Sequence, residues 1–272
     1  MRLLPLLLYA AASAAYLAHF ARRDPHVGRL ATALLAAGVL AHTFLIGMQT
    51  VQAGHAPLVG TTAAISAFVW LLGLAYLYVE LTTDERAMGI FVTPLLVVLD
   101  LIPVLDPNLS SRPAILQSPL FTMHVVSMLF AYACFALASV LGLTYVLLFK
   151  EIKAKHLGYF YARLPSLQVL DAMNGRVVTI GWMFLTMGIA VGGIWAMRTA
   201  TAVDPRVDEM SLGDPKILIA LVSWVLYSFA VLSRRTIGWT GRRAAWLSAI
   251  GFVVVLLNFV PVGYFLTRSH NF

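Results

Sequence analysis

The sequence predicts an all-α polytopic integral membrane protein with about eight transmembrane helices. Of its 272 residues, 60% are hydrophobic and only 11% are charged, and the mean hydropathy is +0.85. These values lie outside the range of soluble globular proteins. The apolar residues are also gathered into long continuous runs, and a helix needs about 20 mostly apolar residues to cross a bilayer.

Eight apolar runs follow one another, each bounded by charged or turn-forming residues. They are continuous instead of alternating and about twice the length of a membrane-barrel strand, which predicts helices throughout. No repeat or low-complexity tract divides them, so residues 1–272 are predicted to form a single membrane domain. The runs span about 3–20, 30–49, 60–81, 87–105, 120–149, 177–197, 215–233 and 244–266.

The distribution of positive charge predicts the orientation of these spans. Of the 19 Lys and Arg residues, 13 lie in one set of alternate loops and six in the other set together with the termini. The positive-inside rule places the first set in the cytoplasm and both termini outside, in a bacterial inner membrane. The net charge of +7 is then a topology signal, and no nucleic-acid partner is predicted.

Two features of the connecting segments add detail to the predicted membrane topology. Arg22 and Arg23 follow the first apolar run instead of preceding it, which favours an uncleaved span over a secretory signal. The longest cytoplasmic segment is about 150–176, and within it residues 167–173 are predicted to form a short helix lying on the membrane surface.

Several chemistries are excluded by what the sequence lacks. Cys134 is the only cysteine, so there is no disulfide framework, no C-x-x-C redox pair and no C-x-x-C-H haem attachment site. Gly-rich phosphate loops and Ser/His/Asp ordering are missing as well. We therefore expect no independent catalytic activity of the hydrolase or ATPase kind.

The seven histidines are sorted by their depth in the predicted spans. Three are candidate ligands: His42 lies halfway across the second span, His124 opens the fifth span at its outer end, and His270 follows the eighth span on the same side. An ionisable residue inside a span is costly and is a functional candidate by default. Solvated or structural roles are expected for the other four, which are His19, His26, His55 and His156.

Two imidazoles at one depth are what a haem iron needs, namely two neutral nitrogens on opposite sides of a macrocycle. His124 and His270 are therefore candidate axial ligands, although helix capping, interface anchoring or a disordered tail would also explain them. Zinc is less well supported, because no third outer ligand has metal spacing. At the same face Gly192 and Gly193 would let a flat ligand or another helix approach closely. Trp195 is either part of that site or an ordinary belt residue.

Several stretches resemble one family of membrane proteins. Residues 119–148, with Met123-His124-Val125, and a second group of motifs downstream are similar to the cytochrome c assembly family, which includes the CcsA/ResC and CcmC proteins and a HemX-like and YpjD-like branch. The likeness covers most of residues 119–272 and continues more weakly to His42. The downstream motifs are Asp214-Pro215-Lys216, Trp224, Gly238-Trp239-Thr240-Gly241-Arg242-Arg243-Ala244-Ala245-Trp246 and Ser269-His270-Asn271-Phe272.

The resemblance implies a function in handling haem. It implies that His124 and His270 hold haem b at the outer face beside Trp195, that His42 corresponds to a histidine in the second span, and that apocytochrome c or an assembly protein is a partner. The size and the eight spans fit the HemX-like branch. Two motifs differ from the CcsA pattern: the tryptophan-rich segment is reduced to Asp214-Pro215-Lys216, and Leu232 stands where a histidine is found.

Two other hypotheses remain open at this stage. A HemX-like regulator or scaffold of haem biosynthesis without haem transport would contact a soluble biosynthetic enzyme through residues 150–176, and the two departures from the CcsA pattern favour it. A transporter or structural membrane protein unrelated to haem would tolerate alanine at both outer histidines. Membrane lipid is a partner in every case.

Overall fold

The computed structural model describes residues 2–58, 60–106, 118–155, 158, 161–199 and 215–259, excepting the side chains of residues 258 and 259. Within these residues the fold is all-helical, which confirms the predicted fold class. Eight helices are present in the described ranges: α1 (Leu3–Arg22), α2 (Pro25–Ala53), α3 (Thr61–Thr83), α4 (Gly89–Leu105), α5 (Pro119–Lys153), α6 (Leu167–Thr199), α7 (Pro215–Thr236) and α8 (Arg242–Phe259).

Each predicted run overlaps one of these helices. Six of them, α1, α2, α3, α5, α6 and α7, are long and apolar enough to cross a membrane, and α4 is a shorter apolar helix of 17 residues. The prediction of a multi-pass membrane protein is confirmed. Successive helices are joined alternately at two ends of the bundle, and we call the end that carries Arg22, Arg86, Arg176 and Arg234 the basic end.

Local capping sets several helix boundaries. The side chain of Asp24 accepts a hydrogen bond from the backbone N–H of His26 at 2.8 Å, and Pro25 occupies the first helical position. Ser118 and Pro119 start α5 in the same way, with the N–H of Phe121 donating to the Ser118 hydroxyl at 3.2 Å. Such caps pair N–H groups that have no partner within the helix, so α2 begins at residue 25, five residues before its apolar run.

The predicted surface helix over residues 167–173 is wrong as a separate element. These residues are helical, but they form the first turns of α6, and Leu170 and Met173 are fully buried in the protein. Asn174, which follows them, donates to the carbonyl of Ala138 at 2.8 Å and accepts from Ser248 at 3.0 Å. The helix runs through this polar residue, which has its hydrogen-bond partners inside the bundle, and continues towards the membrane.

The bundle is organised around α5, most of which is buried inside the protein. Helix α5 packs most extensively on α6, and it also contacts α8 and α3. The contact with α8 is close, since a Cβ added at Gly142 would lie 2.6 Å from the carbonyl oxygen of Ala245. Helices α1 to α4 form a second group that joins α5 mainly through α3. The α5–α6 pair carries the candidate site.

Candidate functional site

His124 lies in the second turn of α5, on the face that packs against α6. Its Nδ1 is 2.8 Å from the backbone carbonyl oxygen of Gly188. A carbonyl oxygen can only accept, so Nδ1 carries the proton and the ring lone pair is on Nε2. A hydrogen bond of this kind fixes the tautomer and the ring orientation of metal-binding histidines and makes the other nitrogen a better ligand.

Two glycines of α6 make room for this contact. A Cβ at Gly192 would lie 2.5 Å from His124 Nδ1, and a Cβ at Gly188 would lie 2.8 Å from the sulfur of Met128. The two glycines are four residues apart, a spacing that lets membrane helices approach closely. Gly193 has no atom within 4 Å of its ideal Cβ position, so the structure assigns the close approach to Gly192.

Trp195 extends the same contact by one helical turn. Its side chain is only 4% exposed, and its ring centroid lies 5.2 Å from that of Phe121. The indole Nε1–H is buried without a hydrogen-bond acceptor in the described part of the chain. Trp195 is therefore packed inside the protein, and it is not positioned as a lipid-facing belt residue.

These side chains share one face of each helix, because residues three apart lie on the same side. Phe121 and His124 on α5 face Gly192 and Trp195 on α6. The arrangement offers an imidazole oriented by a backbone hydrogen bond, an aromatic pair and a buried N–H donor. His270 lies outside the described residues, and its pairing with His124 stays a prediction. Within the described ranges, no group of three or more His, Cys, Asp and Glu side chains is placed to hold a metal ion.

His42 is held by different helices from His124. It is fully buried between α1 and α3, with Nδ1 3.3 Å from the Tyr9 hydroxyl and Nε2 2.9 Å from the Ser66 hydroxyl. Both hydroxyls can donate or accept, so either tautomer is satisfied. A haem iron could bind this histidine only if one of the two bonds were broken, and its role as a haem ligand stays a prediction.

Glu80 is a buried acidic residue that the sequence analysis did not single out. It is 1% exposed on α3, near the basic end, and its carboxylate accepts hydrogen bonds from Tyr16 at 2.6 Å and from Thr32. Arg86 donates to the Thr32 hydroxyl at 3.3 Å. The available signal was an acidic residue inside an apolar run, which is costly unless it has partners. The network ties α1, α2 and α3 together.

Asp100 lies at the other end of the same helix group. Its Oδ2 is buried without a hydrogen-bond donor among the described residues. The residue lines a small cavity of about 30 Å³, together with Arg2, Gln49 and Ser66. A cavity of this volume is large enough to hold a water molecule, which would satisfy the carboxylate.

The sequence is similar to known proteins over nearly its full length. Residues 3–270 match the family described as Cytochrome C assembly protein, so the match includes α1 to α4 as well as the second half of the chain. Relatives named "Cytochrome c biogenesis protein CcsA" include that of Guillardia theta, 26% identical over 85% of this chain and 81% of the relative. Those of Trieres chinensis and Synechococcus sp. (strain CC9902) are 28% and 24% identical, over 84% and 91% of this chain and 81% and 87% of the relatives.

Proposed function

Because the chain belongs to the Cytochrome C assembly protein family, we propose that it acts in cytochrome c assembly by holding haem b between His124 and His270. The site lies at the end of the bundle opposite the basic end, which the positive-inside rule places outside the cytoplasm. In this proposal haem is the cargo, and an apocytochrome c or an assembly protein receives it.

The observation that carries the proposal is the hydrogen bond from His124 Nδ1 to the Gly188 carbonyl. It places the proton of the neutral imidazole on Nδ1 and leaves the Nε2 lone pair as the ligand for haem iron. The close approach at Gly192 fixes the ring against α6. An orientation held by backbone groups requires little rearrangement when a ligand arrives.

The surroundings of His124 also suit a flat, largely apolar ligand with acidic edges. Phe121 and Trp195, which contact each other, provide aromatic surface about one helical turn from the imidazole. The Trp195 Nε1–H has no acceptor in the described residues and could donate to a haem propionate. A buried donor without an acceptor is destabilising by about 1–3 kcal/mol, so binding a propionate there would offset an existing cost.

The chain itself is suited to binding and presentation. Cys134, its only thiol, is buried in α5, so covalent attachment of haem to an apocytochrome would require partner proteins. The CcsA relatives support assembly as the function and do not favour the regulatory alternative. Assignment to the HemX-like branch stays a prediction, as do the bacterial inner membrane and the outer location of both termini.

The proposal is tested by spectroscopy on the full-length protein purified in detergent from haem-replete cells. We expect a b-type reduced-minus-oxidised spectrum in the wild type, and its loss or conversion to single-histidine character in His124→Ala and in His270→Ala. His55→Ala is the matched control, because His55 lies in a loop at the same end and, among the described residues, its side chain hydrogen-bonds only to the adjacent Ala56 carbonyl. A haem-free wild type, or full spectra in both variants, would reject the proposed site.

A further inference from the structure

A groove of about 620 Å³ lies at the basic end between α3, α6 and α7. It is on the opposite side of the membrane from the His124 site and takes no part in the proposed haem binding. Its wall contains three arginines and no acidic residue, and the nonpolar and hydroxyl side chains between them come from two of the helices. The lining residues that matter here are Tyr78, Thr82, Arg176, Ile180, Arg234 and Arg235.

The three arginines differ in whether an acidic side chain balances their charge. Arg234 donates from Nη1 to Asp171 Oδ1 at 3.0 Å and pairs with Oδ2 of the same carboxylate, so its charge is balanced. Arg176 and Arg235 are exposed and make no hydrogen bond, ion pair or ring contact with any described residue. The groove therefore presents two uncompensated positive charges, one from α6 and one from α7.

Other arginines at this end of the bundle contact carbonyl groups or aromatic rings of the protein. Arg163 donates to the carbonyl of Phe20 at 3.0 Å, Arg243 lies over the Trp239 ring at 5.3 Å, and Arg242 lies over Phe149 at 5.8 Å. Positive charge at this end is expected from topology alone. Topology alone does not require that two uncompensated guanidinium groups from separate helices meet in one groove, so this feature is more specific than the general positive charge.

We propose that this groove binds the headgroup of an anionic phospholipid. Guanidinium groups bind phosphate oxygens in pairs, and basic pockets between membrane helices on the cytoplasmic side are suited to anionic headgroups. The groove lies at the basic ends of α3 and α7 and beside the third turn of α6, where we expect the headgroup layer. One helical turn further towards the membrane centre, Ile180 follows Arg176 and Tyr78 precedes Thr82, so acyl chains would meet apolar and aromatic surface directly above the charges.

The two threonine hydroxyls in the groove already donate hydrogen bonds within the protein. Thr82 donates to the carbonyl of Tyr78 at 2.9 Å, and Thr179 donates to that of Gly175 at 2.8 Å, both within their own helices. The charged donors for a phosphate would thus come from Arg176 and Arg235. This makes the binding dependent on those two side chains and on a negative charge in the ligand.

The proposal is tested by native mass spectrometry of the full-length protein titrated with phosphatidylglycerol and, separately, with phosphatidylcholine. An Arg near an anionic surface contributes about 1 kcal/mol, so we expect Arg176→Gln/Arg235→Gln to bind phosphatidylglycerol about 30-fold more weakly than the wild type. The matched control is Arg22→Gln/Arg23→Gln, which removes two exposed arginines at the same end but outside the groove. We expect it to retain wild-type binding.

The outcomes separate the possible explanations. Preference for phosphatidylglycerol that is lost only in Arg176→Gln/Arg235→Gln supports the groove. Equal weakening in both double variants would indicate general surface attraction and overturn the proposal, as would equal binding of the two lipids by the wild type. If inorganic phosphate displaced the lipid at millimolar concentration, or haem did so, the groove would belong to a soluble anion or to haem. Haem spectra from the purified variants keep this test separate from the His124 site.

Discussion

Adding one methyl group at Gly192 tests the packing that holds His124. The new Cβ in Gly192→Ala would lie 2.5 Å from His124 Nδ1 and 2.7 Å from Cε1, well inside van der Waals contact. The imidazole would have to move, and its 2.8 Å hydrogen bond to the Gly188 carbonyl would lengthen or break. Gly193→Ala is the matched control, because it makes the same change in the same helix with no atom within 4 Å.

The expected change in the free energy of unfolding combines one stabilising and two destabilising contributions. Replacing glycine by alanine inside a helix stabilises it by about 1 kcal/mol. Overpacking at Gly192 costs about 1–3 kcal/mol, and loss of the hydrogen bond costs about 1 kcal/mol more. The sum is a destabilisation of about 1–3 kcal/mol for Gly192→Ala, whereas Gly193→Ala is expected to be neutral or slightly stabilising.

Unfolding by SDS titration in mixed micelles would measure both variants, and a double-mutant cycle would identify the cause. In a His124→Ala background the clash is absent, so Gly192→Ala should cost at least 1 kcal/mol less than it does alone. Equal stability of Gly192→Ala and Gly193→Ala, or an identical cost with and without the imidazole, would refute the packing of His124 on α6.

Three further predictions concern the networks outside the candidate site. Asp171→Ala leaves the partly buried Arg234 without its carboxylate and should lower the free energy of unfolding by about 2–3 kcal/mol in the same titration. Tyr16→Phe removes one of the two hydroxyl donors to the buried Glu80 carboxylate and should cost about 1–3 kcal/mol, measured likewise; a neutral result would contradict the network. Partial burial raises the pKa of the Glu85 carboxyl between α3 and α4, so its ionised form is disfavoured in the folded state and stability falls as pH rises through that pKa. Glu85→Gln should therefore raise the melting temperature at about pH 7 but not at about pH 4, below the ordinary glutamate value, and a pH-independent effect would contradict this reasoning.

The helix count could be predicted because hydropathy reports how much chain must be apolar to cross a bilayer. Boundaries were less accurate, since caps and tertiary contacts extend helices beyond the apolar core. Asp24-Pro25 is a readable start signal, an N-cap residue followed by proline, and it would have moved the start of α2 to residue 25. The start of α6 at Leu167 was predicted as well, and the N–H of Val169 donates to the Ser166 hydroxyl there at 3.3 Å. What could not be read is that this helix runs on without a break into the sixth apolar run, because Asn174 finds its partners on α5 and α8.

In the candidate site, too, some features could be predicted from the sequence and others could not. Their depth in the predicted spans identified His124 and His42 as candidate ligands. In the structure the two histidines have different hydrogen-bond partners. The bond from His124 to Gly188 depends on the register of α5 against α6, which no local pattern encodes. The closed environment of His42 depends on Tyr9 and Ser66 from two other helices. Sequence reasoning thus located both imidazoles and could not distinguish their surroundings.

The most direct test of the central claim is chemical rescue of the His124 ligand. His124→Gly removes the imidazole and leaves a space beside Gly192 that free imidazole can enter. We expect the purified variant to lose the b-type spectrum and to regain it when imidazole is added, with no change in the His55→Gly control. A wild-type spectrum in untreated His124→Gly, or a lost spectrum that imidazole does not restore, would contradict the assignment of His124 as an axial ligand.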